Sequence, residues 1–189
     1  PVTFNGSSIN AASATLNNYH TLSYSSSYYF SSSGAHTFNG GAGDDKIFGG
    51  KGDETLTGGA GQDFMHGGLG VDTFVIASGD GNTSLALADV VYDFTDGTDL
   101  IGLDGINFND LTIEQGTGDY ASHVLVSLTT SGEYLVVVQS NSLSAITALD
   151  FVSTSTDDQT INGTAASDTL IGGSGSDTFT TGAGTDEIY

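Results

Sequence analysis

Apolar residues in the first half of the chain fall on a nine-residue beat: Phe38, Ile47, Leu56, Met65 and Phe74. Between the beats the chain is polar and glycine-paired, and the four units from Gly40 to Val75 read GGAGDDKIF, GGKGDETLT, GGAGQDFMH and GGLGVDTFV. The eighth position is always apolar, and the sixth is always acidic: Asp45, Glu54, Asp63, Asp72. The beat starts before the glycines, since Phe30 lies eight residues ahead of Phe38. Residues 1–39, rich in Ser, Asn and Tyr, alternate in places (Leu22, Tyr24; Tyr28, Phe30). They read either as a plain polar leader or as degenerate coils of the same repeat, and the beat favours the coils.

Each unit has a physical logic. Its glycines tolerate backbone angles that other residues resist, which suits a tight turn with carbonyls pointing inward together. Such carbonyls need partners. A central cation satisfies them, with the sixth-position carboxylate supplying charge. Positions seven to nine make a short strand whose middle residue points inward. Stacked units give a flattened parallel coil with turns along both edges. One unit buries too little to fold alone, so several must stack. A flexible Gly-rich linker would not fix an acid at position six and an apolar residue at position eight. A phosphate-cradling loop would need a following Lys-Ser/Thr and the opposite charge.

The rhythm lapses over 76–152, where "DVVYDF", "DLIGL", "LTIEQ", "HVLVSL" and "EYLVVVQ" read as strands, the last two joined by the Thr129–Gly132 hairpin signal. These predict a small antiparallel sandwich with its own core. Residues 153–161 read as a polar linker. Over 162–189 the beat returns in an open-ended second array, with Asp168, Asp177 and Asp186 at position six and Leu170, Phe179 and Ile188 at position eight. The fold class is therefore all-β: parallel β-roll arrays flanking a small sandwich.

Charge narrows the partners. Against 23 acidic residues stand two basic ones, Lys46 and Lys51, for a formal net charge of -21. Nucleic acid is excluded as a partner, because its phosphates require Lys and Arg. A hard divalent cation, which prefers carboxylate and carbonyl oxygens, fits instead. There is no cysteine and no apolar run of membrane-spanning length. The sequence has no initiator Met or signal peptide, and its last array stops without a terminator, which reads as a segment of something longer or a processed subunit. Neither H-E-x-x-H nor G-x-S-x-G occurs, and His20, His36, His66 and His123 read as surface or turn residues, so the chain reads as non-enzymatic. Asp93, Asp96 and Asp99 in "DFTDGTD" read first as a turn, second as an extra calcium loop and third as catalytic carboxylates.

The nonapeptide G-G-x-G-x-D-x-U-x resembles the calcium-binding repeat of the RTX family, a motif that general sequence rules already connect with calcium. The match is specific over 40–75 and good over 163–189. The middle segment resembles the β-rich region found after such arrays in serralysin-type secreted proteins. The resemblance implies a Ca2+-bound parallel β-roll in a bacterial protein exported through a one-step (type I) channel, unfolded in the low-calcium cytoplasm and folding extracellularly or at the cell surface. It also implies ions between same-edge turns two repeats apart. Asp45 would share one with Asp63, Glu54 with Asp72, and Asp168 with Asp186, while Asp177 has no partner two coils later. Backbone carbonyls near Gly41, Gly43, Gly50, Gly52, Gly59, Gly61, Gly68, Gly70, Gly173 and Gly175 would complete the sites. Several positions depart from the pattern: Glu54 replaces Asp, His36 holds the preceding sixth position, and Thr164, Ala166 and Thr181 replace glycines. Three functions follow: a calcium-dependent structural module, a subunit associating head to tail into a filament or surface layer, or a C-terminal accessory and secretion module of an exported protease, lipase or epimerase. Sugar stacking on the tyrosine-rich leader is a further role open to this chain.

Overall fold

The computed structural model describes residues 34–139 and 141–189, and within the first 33 residues only the backbone of four short strands. In chain order the strands of the larger body are β1 (Val2–Thr3), β2 (Ile9–Asn10), β3 (Tyr19–Thr21), β4 (Ser27–Tyr29), β5 (Thr37–Ala42), β6 (Lys46–Phe48), β7 (Thr55–Ala60), β8 (Phe64–His66), β9 (Thr73–Ala77), β10 (Asp89–Val91), β11 (Leu100–Asp104), β12 (Leu111–Gln115), β13 (Val124–Leu128), β14 (Tyr134–Val138) and β15 (Phe151–Ser153). Among the described residues four further short strands lie toward the C-terminus, the rest of the regular structure consists of 3-10 turns, and no helix is long and apolar enough to cross a membrane.

From β1 to β12 successive strands go alternately to two sheets, as a flattened coil requires. One sheet runs β1-β3-β5-β7-β9-β11-β15, and the other runs β12-β13-β14-β10-β8-β6-β4-β2. All neighbours in the first sheet pair parallel. Its register places Phe38 beside Leu56, Leu56 beside Phe74, Phe74 beside Ile101, and Ile101 beside Phe151. In the facing sheet Ile47, Met65, Val91 and Val138 form the corresponding row. Phe38, Ile47, Leu56, Met65 and Phe74 have no exposed surface, so the nine-residue beat is the spine of the core. The strand pairs β1–β3–β5 and β2–β4–β6 continue both sheets back into the first 33 residues.

The 76–152 segment contains antiparallel strands: β12 pairs with β13 and β13 with β14. Its other strands extend the roll, with β10, β11 and β15 each pairing parallel to a strand of the coil. Alternating hydrophobicity specifies a half-buried strand but not its direction, and sheet direction is set here by the strands already stacked. The main core is shared, since Phe38 and Phe74 lie in one cluster with Val124, Val138, Phe151 and Ile171, and Ala88, Val90, Leu125 and Val137 form a second, smaller one.

The C-terminal region forms two short parallel pairs. Strand β16 (Thr160–Asn162) pairs with β18 (Thr178–Thr180), and β17 (Thr169–Leu170) with β19 (Glu187–Ile188). Ile161 lies beside Phe179 and Leu170 beside Ile188, so the end of the polar stretch 153–161 supplies the first rung of this smaller roll.

Candidate metal centre

The alternation of strands between sheets sends sixth-position acids alternately to the two edges. Along one edge the Asp45 peptide N–H donates to Asp63 Oδ1 at 2.7 Å, across 18 residues. Along the other, the Glu54 N–H donates to Asp72 Oδ1 at 2.8 Å. The smaller roll repeats the bond from Gln159 to Asp177 Oδ1 at 2.9 Å and from Asp168 to Asp186 Oδ1 at 3.0 Å. The carbonyl of the same residue accepts from the next same-edge strand: Asp45 from Phe64 N, Glu54 from Thr73 N, Asp168 from Glu187 N. Each edge is thus a ladder in which one carboxylate oxygen is tied to the preceding coil.

The second oxygen leans over the first glycine of its own turn. A Cβ on Gly58 would stand 2.5 Å from Asp63 Oδ2, and one on Gly40 would stand 2.7 Å from Asp45 Oδ2 and against the Gly58 carbonyl of the following coil. Glycine at position one is therefore dictated by the space the carboxylate and the neighbouring coil occupy. At position two a conformational requirement is added, as at Gly59 with φ +94°, where a Cβ would also meet the Gly41 carbonyl.

These acids are deeply buried. Asp45 and Asp63 are 0 % exposed, and Glu54 and Asp72 are 1 %. Burial pushes Asp63 and Glu54 up to about 7, helped by like charge from Asp45 and Asp72 respectively and opposed by the peptide N–H donors. Burial raises Asp72 as well, with Asp99 and Asp93 adding like charge. Both lysines are exposed. Two oxygens inside this shell, Asp63 Oδ2 and Glu54 Oε1, are fully enclosed without a hydrogen bond. Buried carboxylate oxygens lacking a donor are costly. Hard, negatively charged oxygens held without a protein cation fit a divalent ion of the calcium type. Among the described residues no three acidic or His side chains converge on one point, so such an ion would rely on backbone carbonyls as well.

The structure brings Asp45 to Asp63, Glu54 to Asp72 and Asp168 to Asp186 through the peptide-to-carboxylate bonds above. Asp177 takes its bond from Gln159, two coils earlier. Of the glycine carbonyls named from the sequence, that of Gly50 accepts from Leu69 N at 3.0 Å. An outer ladder accompanies the inner one, since Asp44 Oδ1 accepts from Gln62 N and Asp53 Oδ1 from Val71 N.

Two acids escaped the sequence reading as ladder members, Asp89 altogether and Asp99 because it was read first as a turn. Asp89 Oδ1 accepts from Asp63 N at 2.9 Å, and Asp99 Oδ1 from Asp72 N at 3.0 Å. The available signal was the acid-x-apolar triplet, Asp89-Val90-Val91 and Asp99-Leu100-Ile101, without its glycines. Asn109 was also missed. Its Oδ1 accepts from Thr169 N at 3.1 Å and its Nδ2 donates to Asp168 Oδ1 at 3.4 Å. Those are the two bonds a sixth-position peptide makes elsewhere, so one side-chain amide stands in for a peptide of a preceding coil.

His36 holds a sixth position, and its carbonyl accepts from Thr55 N at 2.8 Å as that of Asp45 accepts from Phe64 N. His66, at position nine, is half exposed and meets Asp93 Oδ2 at 2.9 Å, and that carboxylate also accepts from the Gly67 and Gly68 amides. His36 tilts against Phe38 and is lowered by burial, while His123 stacks edge-on to Tyr120.

Comparison with known proteins agrees with this geometry. The RTX calcium-binding nonapeptide repeat matches in four copies, at residues 32–65, 39–74, 51–84 and 153–188. Two solved folds from Azotobacter vinelandii mannuronan C5-epimerase are similar. The AlgE6R2 subunit matches at 23 % identity and TM-score 0.52, covering 68 % of this chain and 87 % of that one. The AlgE6R3 subunit matches at 22 % identity and TM-score 0.56, covering 75 % and 83 %. No curated protein sequence gives a match.

Proposed function

We propose that the chain, which carries the RTX calcium-binding nonapeptide repeat over 32–84 and 153–188, is a calcium-dependent structural module of an exported bacterial protein, folding when it meets calcium outside the cell. Asp45 with Asp63, Glu54 with Asp72, and Asp168 with Asp186 hold the ions, Asp177 contributes on its own edge, and the glycine-turn carbonyls complete each shell. The observation that carries this reading is the pair of enclosed, donor-free oxygens, Asp63 Oδ2 and Glu54 Oε1, in a ladder with no protein cation. Bound calcium would neutralise acids that otherwise repel across each edge, so metal uptake and folding form one equilibrium. Circular dichroism and sedimentation with calcium or with chelator test it. A disordered, expanded chain in chelator that becomes a compact β-protein in millimolar calcium is expected, and a chain equally folded in both ends the proposal.

A second reading is favoured by the epimerase-derived neighbours: the module is an accessory to an exported enzyme. Its own residues would then contribute rigidity and spacing rather than chemistry. Sequencing the parent gene tests this, with a catalytic domain on the same chain as the supporting result.

A further inference from the structure

Positions seven and nine of each unit face away from the core, because the buried eighth-position residue between them points in. On the sheet that contains β7 and β9 these positions carry Thr55, Thr57, Thr73 and Val75. On the facing sheet the same positions of β6 and β8 carry Lys46, Phe48, Phe64 and His66. The register sets Lys46 beside Phe64 and Phe48 beside His66, and Tyr92 follows β10, its N–H donating to the Met65 carbonyl. These five residues and Met65 line a cleft of about 400 Å³. A concave site of that volume, mostly aromatic with a few placed polar groups, has the make-up of a small-molecule pocket. The threonine-faced sheet opposite shows that the repeat itself does not call for rings at these positions.

The charge of the cleft runs against that of the chain. Lys46 is one of two basic residues set against 23 acidic ones. Its ammonium stands 5.8 Å from the centre of the Phe64 ring. Among the described residues the one ion pair joins His66 to Asp93, so Lys46 lines the cleft without a carboxylate partner. Asp93 does not compete for it. That carboxylate accepts from the Gly67 and Gly68 amides and meets His66 Nδ1, which leaves Nε2 of the ring for a ligand. Tyr92, 56 % exposed, adds a hydroxyl at the rim.

We propose that this cleft binds a small organic monoanion, a single carboxylate meeting the Lys46 ammonium on an apolar body packed among the Phe48, Phe64 and Tyr92 rings. Charge complementarity selects the occupant. One carboxylate matches one ammonium, and a charge-assisted contact gains strength beside aromatic walls that displace water. A polyanion would satisfy one of its charges here and meet the repulsion of an acidic surface with the rest. A cation would be turned away by Lys46, and a neutral apolar molecule would take water from the ammonium and give nothing back. The site is independent of which ions the ladders hold and asks only that the roll be folded.

The full chain, folded as judged by its β-signal, is titrated with phenylacetate and with hexanoate, with the two matching amides as uncharged controls and a polyuronate oligomer as the polyanion. Aromatic carbon–proton NMR spectra and titration calorimetry give the readout. At least one acid should shift the Phe48, Phe64, His66 and Tyr92 ring signals with a Kd of about 1 mM or tighter. Its amide should bind about tenfold more weakly or less, and the polyuronate should leave those rings unmoved. The better acid identifies the body as aromatic or aliphatic. Lys46→Met should erase the preference for acid over amide, Lys46→Arg should keep it, and Phe48→Thr/Tyr92→Thr should weaken the acid about tenfold. Rings unmoved by either acid up to about 10 mM, an amide that binds as well as its acid, or a polyuronate that holds the same rings more tightly each overturns the inference. The acid-against-amide comparison uses the unaltered chain, so it decides even where a variant fails to fold.

Discussion

The two rolls share a repeat and differ in what surrounds it. In the larger one the sixth-position acids are at most 1 % exposed and the eighth-position residues are sealed. In the smaller one Asp168 is buried at 7 %, Asp177 and Asp186 are half-buried, Phe179 is partly open and Ile188 is 52 % exposed. The peptide-to-carboxylate bonds are nevertheless the same length within a few tenths of an ångström, 2.7 and 2.8 Å against 2.9 and 3.0 Å. The ladder's geometry is thus common to both rolls. The number of coils stacked on either side sets how dry its acids are, and dryness is what makes an uncompensated charge costly.

The largest expected consequence of that difference is a pH effect in the absence of metal. Burial holds Glu54 and Asp63 at about 7 and Asp89 at about 8, above the ordinary values of 4.5, 3.8 and 3.8. Between roughly pH 4 and 8 the folded chain keeps protons that the unfolded chain releases, so stability falls as pH rises through that window. In chelator the expanded chain should regain β-signal as the pH is lowered from 8 to 5, and calcium should remove most of that dependence. A β-signal in chelator that rises with pH would mean these acids are not dry.

Next in size is charge removal on equivalent edges. Asp45→Asn/Asp63→Asn should raise the calcium concentration for half-folding about tenfold or more, while Asp168→Asn/Asp186→Asn should shift it by less than about threefold. Far-UV circular dichroism against free calcium gives both numbers, and equal shifts would erase the contrast between the rolls.

A steric version follows. Alanine at Gly58 would meet Asp63 Oδ2 at 2.5 Å, and at Gly172 it would meet Asp177 Oδ2 at 2.6 Å. In the sealed site the carboxylate cannot yield, and Gly58→Ala should cost about 1–3 kcal/mol in calcium. Asp177 can swing toward solvent, so Gly172→Ala should cost about 1 kcal/mol or less. Denaturant melts of both variants make the comparison.

The smallest effect tests the joint between the rolls. Asn109→Ala removes the amide that bonds Thr169 N and Asp168 Oδ1 and should cost about 1 kcal/mol. Amide exchange should speed up at Thr169 and stay unchanged at Phe64 and Thr73.

What the chain disclosed in advance follows from periodicity. Phe38 through Phe74 and Asp45 through Asp72 repeat at a fixed interval, so both the core row and the acid row were legible. Asp89 was not, because eight additional residues in the coil before it break the interval and no glycine pair marks the turn. The strand runs of 76–152 were legible as strands, yet Val90 and Leu100 gave no sign of lying parallel to Phe64 and Thr73, since direction is a property of the partner. Asn109 was invisible for another reason. Its partners lie 59 and 60 residues away, and its role depends on mimicking a peptide rather than on any motif.

The 18-residue register carries a rule of parity. Odd and even nonapeptides serve opposite rims, so loss of one unit would carry every later acid across to the wrong rim and leave unlike rungs facing each other. Loss of two would shorten the molecule by one rung, about 4.8 Å, with all surviving partnerships intact. A protein of this design can change length only in double steps, and lineages or engineers who trim it by a single repeat should find the damage spread along the whole axis rather than confined to the cut.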